Sequence, residues 1–394
     1  MFRRLRLLLL AGALVAAGWP AARTLVQWFS LRAPDVLELD YARYLASARM
    51  GLQFGWNRLY DPEAQRIVMH ELGDLFWLPN VYTPAMSLLL VPFTLFSLHS
   101  GFLLWSALQL AALLVCWHLT ARGDPPLRAV LLAMVFVPYP VTLGLLEGQV
   151  LPLQMALVAA SYALAMSGRD FLAGALLSCL ALKPQGLQLI PFALLLAGRT
   201  RAFAGWVAAM AVIGGLVLAG IGLDGTLAYA ERLSWAGAHP QSLWVAWSYT
   251  LARHFDSAWA RAAALSAAAV LTLIAAWRNR AHLEIAYAAG LVGSILASPY
   301  THLYDFMLLF PAAWLTLRVA PAIWVAPPLL VAYVFMLFSH RDEKGPRWVL
   351  LCECIWLCAL ALVPPRWLVP AAPRPLVAAP RPLGAARPDY PASS

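Results

Sequence analysis

Long uninterrupted apolar runs restrict the fold of this chain more than any other feature. The first run extends from about Leu7 to Phe29, and later runs recur as far as Leu362. A helix needs about 20 residues to cross the hydrocarbon core of a bilayer, and in lipid the backbone polar groups find partners only within helices or closed barrels. A barrel would show short alternating segments, whereas these runs are continuous and rich in Leu and Ala. The sequence therefore predicts an all-α polytopic membrane protein.

Composition excludes the main alternatives to a membrane protein. Hydrophobic residues make up 62% of the 394 residues and charged residues 12%, whereas a soluble domain is roughly half apolar and a quarter charged. Disorder would need low hydrophobicity and high net charge. The 28 basic and 19 acidic residues give a net charge of +9, and almost all of the basic residues are arginine. Arginines at helix ends are typical of cytoplasmic loops that meet anionic lipid, so we expect a bilayer and no nucleic acid as the partner.

The basic residues also predict the orientation of the chain. Three arginines precede the first apolar run, which places the N-terminus in the cytoplasm and predicts an uncleaved first helix. Residues 30–80 form a polar first exterior loop within a membrane domain of residues 1–363, and residues 364–394 form a disordered cytoplasmic tail rich in Pro and Arg. Further spans are predicted at Gly101–Leu119, Leu131–Leu146, Leu151–Met166, Phe203–Ile221, Ala258–Trp277, Leu283–Leu296, Phe306–Leu317, Ala322–Phe338 and Val349–Leu362.

Two shorter apolar segments surround one of only two lysines in the chain. Phe171–Leu182 and Leu187–Ala197 each contain about a dozen residues, too few for an upright crossing at about 1.5 Å of rise per residue. We therefore predict a short helical hairpin with Lys183 at its tip. Lys183 is either a side chain that reaches back to the interface or an ammonium group that faces an anionic headgroup, and we favour the second role because desolvation strengthens it.

The polar regions fall on one side of the predicted topology. The first loop, Gly222–Tyr249 and Ser298–Asp305 all lie outside, and Glu147–Gln149 joins them. An ionised group at membrane depth costs several kcal/mol, from about 2.5 upwards, so each of these groups needs a reason. The arrangement predicts a polar cavity for binding or chemistry at the exterior surface.

Candidate acids and bases occur in two of these regions. Asp40 opens a predicted helix, where a capping role is also expected, and Asp35 is an equal candidate on these grounds. His302 and Asp305 are three residues apart, hence neighbours in a helix. This spacing predicts either a histidine that a carboxylate orients for proton transfer or phosphate contact, or an interfacial aromatic belt with a capping acid.

Six blocks of residues occur in one order between about residues 35 and 310, and together they resemble a known family. The blocks are Asp40 with Tyr44, Ala46, Ala48, Arg49, Gly55 and Leu59-Tyr60-Asp61-Pro62; Tyr82-Thr83-Pro84; Gly148-Gln149; Lys183-Pro184; Gln241-Ser242-Leu243; and Ser298-Pro299-Tyr300 with His302 and Asp305. They resemble glycosyltransferase family 87, polytopic enzymes that take sugars from polyprenyl phosphate. The spacing from the acid to Leu-Tyr-Asp-Pro favours Asp40 over Asp35, and Tyr82-Thr83-Pro84 has one proline fewer than the family's Tyr-Pro-Pro.

The resemblance implies the C-type membrane glycosyltransferase fold, with about 10–12 transmembrane helices including the short hairpin. It also implies an exterior-facing active site and a lipid-phosphate donor that is often mannosyl. We therefore expect an inverting transfer of a hexose, mannose in the first instance, from polyprenyl phosphate to a lipid or glycan acceptor.

The resemblance also implies that Asp40 is the catalytic carboxylate, and we expect it to act as the general base. Our mechanistic hypothesis adds that Lys183 and His302 bind the donor phosphate and that His302 assists catalysis. We expect no cofactor, although Asp35, Glu38 and Asp40 could hold a divalent cation weakly. Residues expected to contact the substrates are Tyr44, Tyr82, Gln149, Gln241, Ser242, Tyr300 and Asp305.

A transporter or flippase of a lipid-linked or small polar substrate is the alternative function. Such a protein would show inverted repeats and ionisable residues near the midplane, whereas the acids of this chain gather in an exterior loop. The use of arginine in place of lysine indicates a GC-rich bacterium, so we expect the protein in the bacterial cytoplasmic membrane.

Overall fold

The computed structural model describes residues 2–73, 78–238, 250–319, 326–339 and 344–363, and all regular structure in these ranges is helical. The helices are α1 (Phe2–Phe29), α2 (Ala33–Leu37), α3 (Asp40–Phe54), α4 (Pro62–Gly73), α5 (Pro84–Leu89), α6 (Leu98–Thr120), α7 (Pro125–Val135), α8 (Tyr139–Leu146), α9 (Leu151–Met166), α10 (Asp170–Leu176), α11 (Ile190–Leu196), α12 (Thr200–Ala238), α13 (Ala258–Arg278), α14 (Leu283–Leu296), α15 (Leu309–Val319), α16 (Ala326–Leu337) and α17 (Lys344–Leu362). Short 3₁₀ turns at 56–58, 91–95, 177–181, 251–254 and 303–308 connect some of them.

Four of these helices are long and apolar enough to cross a membrane: Leu7–Phe29, Leu98–Thr120, Thr200–Ala236 and Ala258–Arg278. A fifth crossing results if α7 and α8 count as one broken span. The prediction of a polytopic all-α membrane protein is therefore confirmed. The number of long spans among the described residues is smaller than the predicted 10–12 because several predicted spans are short interior helices. α14, for example, has 14 residues and buries all of them except Glu284.

The predicted span Leu131–Leu146 is wrong as a single helix. α7 ends at Val135 and α8 begins at Tyr139, with a bend of 67° between them. Pro138 lies at the break as the residue before α8, and a proline cannot continue the hydrogen-bond pattern of the helix before it. The hydroxyl of Thr24 in α1 donates to the carbonyl of Phe136 at 3.0 Å, which satisfies an acceptor that the break leaves free.

The structure describes the first part of the predicted exterior region Gly222–Tyr249. The predicted span Phe203–Ile221 does not end at Ile221, because α12 continues through a kink at Gly222 (φ 69°, ψ −177°) as far as Ala238. Glycine adopts such a backbone conformation readily, so the helix changes direction there and then resumes. Residues 239–249 lie outside the described residues.

The polar first loop folds as a small helical subdomain, which we define as residues 33–73. Its own apolar core joins Ala42, Ala46 and Met50 of α3 to Val68 of α4 and to Ile221 of α12. The rings of Tyr60 and Tyr229 stack on each other with centroids 4.9 Å apart. The loop subdomain therefore packs against the second half of α12, in addition to its covalent connections to the rest of the chain.

The predicted short hairpin is present as α10 and α11, with a 3₁₀ turn and the Lys183 segment between them. Glycines allow α10 and α12 to approach closely. A Cβ atom on Gly174 would lie 1.7 Å from the carbonyl oxygen of Ala202, and one on Gly205 would lie 2.0 Å from that of Phe171. Small residues permit such close packing of membrane helices, so the hairpin is held firmly against α12.

Candidate active site

Polar side chains from five distant segments meet beside the first turn of α3. Asp40 is the first residue of α3, as a first-turn acid after Leu39. Tyr82 precedes α5, Gln149 follows the turn between α8 and α9, and Lys183 lies between α10 and α11. Residues 298–305 enter the site from the end of α14.

Four side chains donate hydrogen bonds to the carboxylate of Asp40. Tyr82 donates to Oδ1 at 3.2 Å and Arg43 donates to the same atom at 3.4 Å. Gln149 Nε2 donates to Oδ2, and Tyr304 lies 3.5 Å from that oxygen. Since every partner is a donor, the surroundings suit a carboxylate, which only accepts. The Asp40 side chain keeps 19% of its surface exposed, so a reactant can reach it.

Gln149 connects Asp40 to Lys183. Its Nε2 donates to Asp40, while its Oε1 accepts from Lys183 Nζ at 3.3 Å and from the Tyr44 hydroxyl at 2.9 Å. These partners assign the orientation of the amide, because the nitrogen faces an acceptor and the oxygen faces two donors. The fully buried amide therefore fixes the spacing between a negative and a positive group.

The turn that carries Gln149 depends on glycine. Gly148 has φ +69°, and a Cβ atom there would lie 2.8 Å from the Cβ of Tyr41 in α3. Trp105 of α6 donates from Nε1 to the Gly148 carbonyl at 2.8 Å. The turn is thus pressed between α3 and α6, which explains why the backbone comes close enough for Gln149 to reach Asp40.

Lys183 is held by a buried ion pair. Its Nζ lies 2.6 Å from Asp305 Oδ1 and 4.3 Å from the centroid of the Tyr304 ring. The side chains of Lys183 and Asp305 are 12% and 1% exposed. Gln154 of α9 donates to the backbone carbonyl of Lys183 at 2.7 Å, which holds the segment itself. Lys183 therefore points into the site from a fixed position with a small exposed surface.

His302 and Asp305 interact, but not in the way the spacing suggested. Asp305 Oδ2 accepts from the backbone N–H of His302 at 2.7 Å, and the imidazole Nε2 is hydrogen-bonded to the Tyr300 hydroxyl at 2.8 Å. The ring also stacks on Tyr304, with centroids 4.7 Å apart. Burial lowers the pKa of His302, and Lys183 lowers it further, against an opposing effect of Asp305. The prediction of a ring oriented by the carboxylate is therefore corrected: Tyr300 and Tyr304 orient it.

Tyrosines complete the walls of the site. The rings of Tyr44 and Tyr82 meet edge to face, with centroids 4.5 Å apart. Burial raises the pKa of both hydroxyls, and the charge of Asp40 raises it further, so they remain protonated donors. Thr83, next to Tyr82, caps α5 and donates to the carbonyl of Leu182 at 3.0 Å, which couples the Tyr82 segment to the lysine segment.

Other predicted residues lie elsewhere. Asp35, the alternative acid, accepts from the backbone N–H of Arg32 at 2.8 Å and caps α2 on an exposed surface. Gln241 and Ser242 lie outside the described residues. Within the described ranges, no three His, Cys, Asp or Glu side chains gather as a metal site; the expectation that the enzyme works without a cofactor stays a prediction.

Sequence reasoning assigned no role to three residues of this site. Arg43 is one turn after Asp40, Tyr304 lies between His302 and Asp305, and Glu147 accepts from the backbone N–H of Asp40 at 3.1 Å. Arg43 could have been found from its spacing, because it is three residues after Asp40 and residues three apart on a helix are neighbours. The sequence groups Glu147 with the first exterior loop but does not indicate its contact with Asp40, which is 107 residues away.

Comparison with known protein families identifies the family of this chain. The model of glycosyltransferase family 87 matches residues 80–299, which is more than half of the chain. The matched region includes Tyr82, Gln149 and Lys183, while Asp40 and His302 lie on either side of it. No curated protein and no solved structure matches the chain.

Proposed function

The chain belongs to glycosyltransferase family 87, and we propose that this membrane enzyme moves a hexose, mannose in the first instance, from polyprenyl phosphate to a hydroxyl of a lipid or glycan acceptor. The observation that carries the proposal is the juxtaposition of Asp40 and Lys183 on either side of Gln149. With this spacing, the base can take a proton from the hydroxyl that attacks the sugar, while the ammonium group binds the phosphate that leaves it. Family membership favours transfer over the alternative of a transporter or flippase.

Asp40 acts as the general base in this proposal. The acceptor hydroxyl gives its proton to the Asp40 carboxylate as its oxygen attacks the anomeric carbon, and the bond from that carbon to the phosphate oxygen breaks with its electron pair. One displacement with one base inverts the configuration of the anomeric centre. The hydrogen bonds from Tyr82 and Gln149 to Asp40 support the role because they hold the carboxylate in one place while 19% of it remains open.

Lys183 stabilises the leaving group. A phosphate monoester leaves without a strong general acid, but its charge must be neutralised in a site of low dielectric. Lys183 is suited to this because its ion pair with Asp305 holds the ammonium group in one position. His302 contributes a neutral ring, since burial and Lys183 lower its pKa, so its contact with phosphate is a hydrogen bond rather than an ion pair.

The remaining polar groups bind sugar and acceptor. Tyr82 and Tyr300 are partly exposed beside the site, and burial keeps their hydroxyls protonated as donors. Gln149 and Tyr44 are buried and hydrogen-bonded to each other, so they act by holding the two charged groups in place. We assign Gln241 and Ser242 to substrate binding as well, on the family resemblance alone. Asp305 is a positioning residue for Lys183, because its side chain is 1% exposed and both oxygens are occupied.

The location of the reaction follows from charge and topology. The arginine-rich N-terminus favours a cytoplasmic start, which puts the loop subdomain and Asp40 on the opposite face after one crossing by α1. We therefore propose an extracytoplasmic active site in the bacterial cytoplasmic membrane, with a cytoplasmic C-terminus. The charge supplied by Lys183 allows the reaction to proceed without a divalent cation.

The test is an assay of products in a defined membrane. Purified protein in liposomes receives polyprenyl-phosphate mannose and a glycolipid acceptor from cell extract, and released polyprenyl phosphate is measured beside mannosylated acceptor. We expect the two products in equal amounts and in the inverted configuration. Uptake of the substrate into the vesicles without release of polyprenyl phosphate would contradict the proposal and support transport.

A further inference from the structure

The helix that begins with Asp40 has an unusual beginning. The first N–H groups of a helix have no partners within it, and a Ser, Thr, Asp or Asn side chain before the helix commonly supplies one. The residue before α3 is Leu39, whose side chain supplies no such bond. The start of α3 therefore depends on acceptors from another part of the chain.

Glu147 supplies two of those acceptors. Its carboxylate Oε2 accepts from the N–H of Asp40 at 3.1 Å, and its backbone carbonyl accepts from the N–H of Tyr41 at 3.0 Å. Glu147 is itself the residue that follows the last turn of α8. The C-terminal end of α8 thus meets the N-terminal end of α3 at this one residue.

The two neighbours of Gly148 hold Asp40 from both of its ends. Glu147 binds the backbone nitrogen of Asp40, and Gln149 binds the carboxylate of the same residue. Because Gly148 is pressed against Tyr41, neither contact can shift without moving α3. The turn at 147–149 is therefore a clamp on the proposed base.

The position of Glu147 disfavours its ionised form. Burial, and then the charge of Asp40, raise the pKa of Glu147 to about 7, while the bond from the Asp40 backbone and the charge of Arg43 oppose the rise. The titratable groups of α3 that interact with Glu147 are Asp40, Arg43 and Tyr44. A carboxyl group beside the N-terminus of α3 is favoured by the helix dipole, but beside the C-terminus of α8 it is disfavoured.

We propose that Glu147 is the positioning residue for Asp40: its carboxyl group caps the helix that begins with the base and so fixes where the base meets the acceptor hydroxyl. This inference rests on the proposed function of Asp40. The ionised carboxyl makes the stronger, charge-assisted cap, so ionisation of Glu147 near neutrality makes turnover pH-dependent in that range.

The test compares two variants with a matched control. Glu147→Ala removes the cap, whereas Glu147→Gln keeps an acceptor oxygen and removes the charge. Glu284→Gln makes the same change in a carboxyl that accepts from the Tyr162 hydroxyl at 2.9 Å, at the opposite end of α14 from the 298–305 segment and so about 20 Å away by helix rise. For each we measure kcat, donor KM, the dependence of kcat on pH, and hydrogen–deuterium exchange of the Asp40 amide.

We expect Glu147→Ala to lower kcat by about 10- to 100-fold, the scale of a small misplacement of a catalytic group, with donor KM unchanged and faster exchange at the Asp40 amide. Glu147→Gln should retain most of the turnover and lose the change in kcat near pH 7. Glu284→Gln should match the parent protein. If Glu147→Ala does not fold, the dependence of kcat on pH in Glu147→Gln tests the inference alone.

Wild-type kcat in Glu147→Ala, a loss of kcat matched by an equal loss of donor affinity, or an unchanged pH profile in Glu147→Gln would each overturn the inference. Failure of the proposed function looks different, because the parent protein would then release no polyprenyl phosphate at all. In that case exchange at the Asp40 amide still reports on the cap.

Discussion

Asp40 and Lys183 lie on opposite sides of one side-chain amide, that of Gln149. The amide nitrogen donates to the carboxylate, and the amide oxygen accepts from the ammonium group at 3.3 Å. A rigid polar group thus keeps the two charges from collapsing into a direct ion pair, which would neutralise both. The ammonium group is paired with Asp305 and the carboxylate with Arg43, at 3.4 Å, so each charge has its own partner on its own side of the amide.

Lys183→Ala should weaken binding of the sugar donor more than binding of the acceptor. Removal of a charge-assisted contact to phosphate costs about 1.5–3 kcal/mol, which corresponds to a rise of roughly tenfold to a hundredfold in donor KM. Arg199→Ala is the matched control, because Arg199 also forms an ion pair, at 3.4 Å with Asp170, but outside this site. A larger change in acceptor KM than in donor KM would count against phosphate binding by Lys183.

The Lys183–Asp305 pair predicts strong coupling in stability. Asp305→Ala leaves a lysine with little exposure and no carboxylate, and removal of one partner from a buried pair costs about 3–5 kcal/mol. The double variant Lys183→Met/Asp305→Ala should lose less than the sum of the two single losses. Thermal unfolding in detergent measures this, and strictly additive losses would show that the pair is not coupled.

Glu147 predicts a pH dependence of stability. Its pKa is raised from 4.5 to about 7 in the folded protein, so the unfolded chain releases the proton first as the pH rises. The contribution of Glu147 to stability is complete below about pH 4.5 and is lost between 4.5 and about 7. Glu147→Gln should not show this loss. Parallel stability curves for the two proteins from pH 4.5 to 8 would refute the shift.

Gly148→Ala should impair turnover, while Gly168→Ala should not. Both glycines have positive φ, +69° and +78°, but a Cβ atom meets Tyr41 at 2.8 Å in the first case and nothing within 4 Å in the second. In each variant, backbone strain destabilises the folded protein by about 1 kcal/mol or more, but only Gly148→Ala also displaces α3. We expect kcat to fall by at least about tenfold for Gly148→Ala; equal effects of both variants would mean that strain alone matters.

Local signals in the sequence predicted part of the site correctly. Asp40 opens α3, as the predicted helix start indicated. Lys183 lies between two short helices, as the lengths of the apolar segments required. These features follow from a few neighbouring residues, which is why composition and spacing reveal them.

Long-range packing limited the remaining predictions. The break between α7 and α8 depends on Pro138 and on an acceptor that Thr24 satisfies 112 residues earlier. The pairing of Lys183 with Asp305 spans 122 residues, so the local sequence does not indicate it. The local sequence indicates only that Asp305 caps the backbone N–H of His302, and the structure contains this contact as well. Apolar periodicity also could not distinguish interior helices from full spans, as the buried α14 demonstrates.

Asp40→Asn, compared with Asp35→Asn, is the most direct test of the proposed base. The change keeps the size of the side chain and an acceptor for Tyr82, so the fold and donor KM should persist. Asp35 is the control because its carboxylate caps α2 away from the site. We predict that Asp40→Asn releases polyprenyl phosphate about 10²- to 10⁴-fold more slowly, the usual contribution of a general base, and that Asp35→Asn is unaffected. Near-normal release by Asp40→Asn would contradict this prediction.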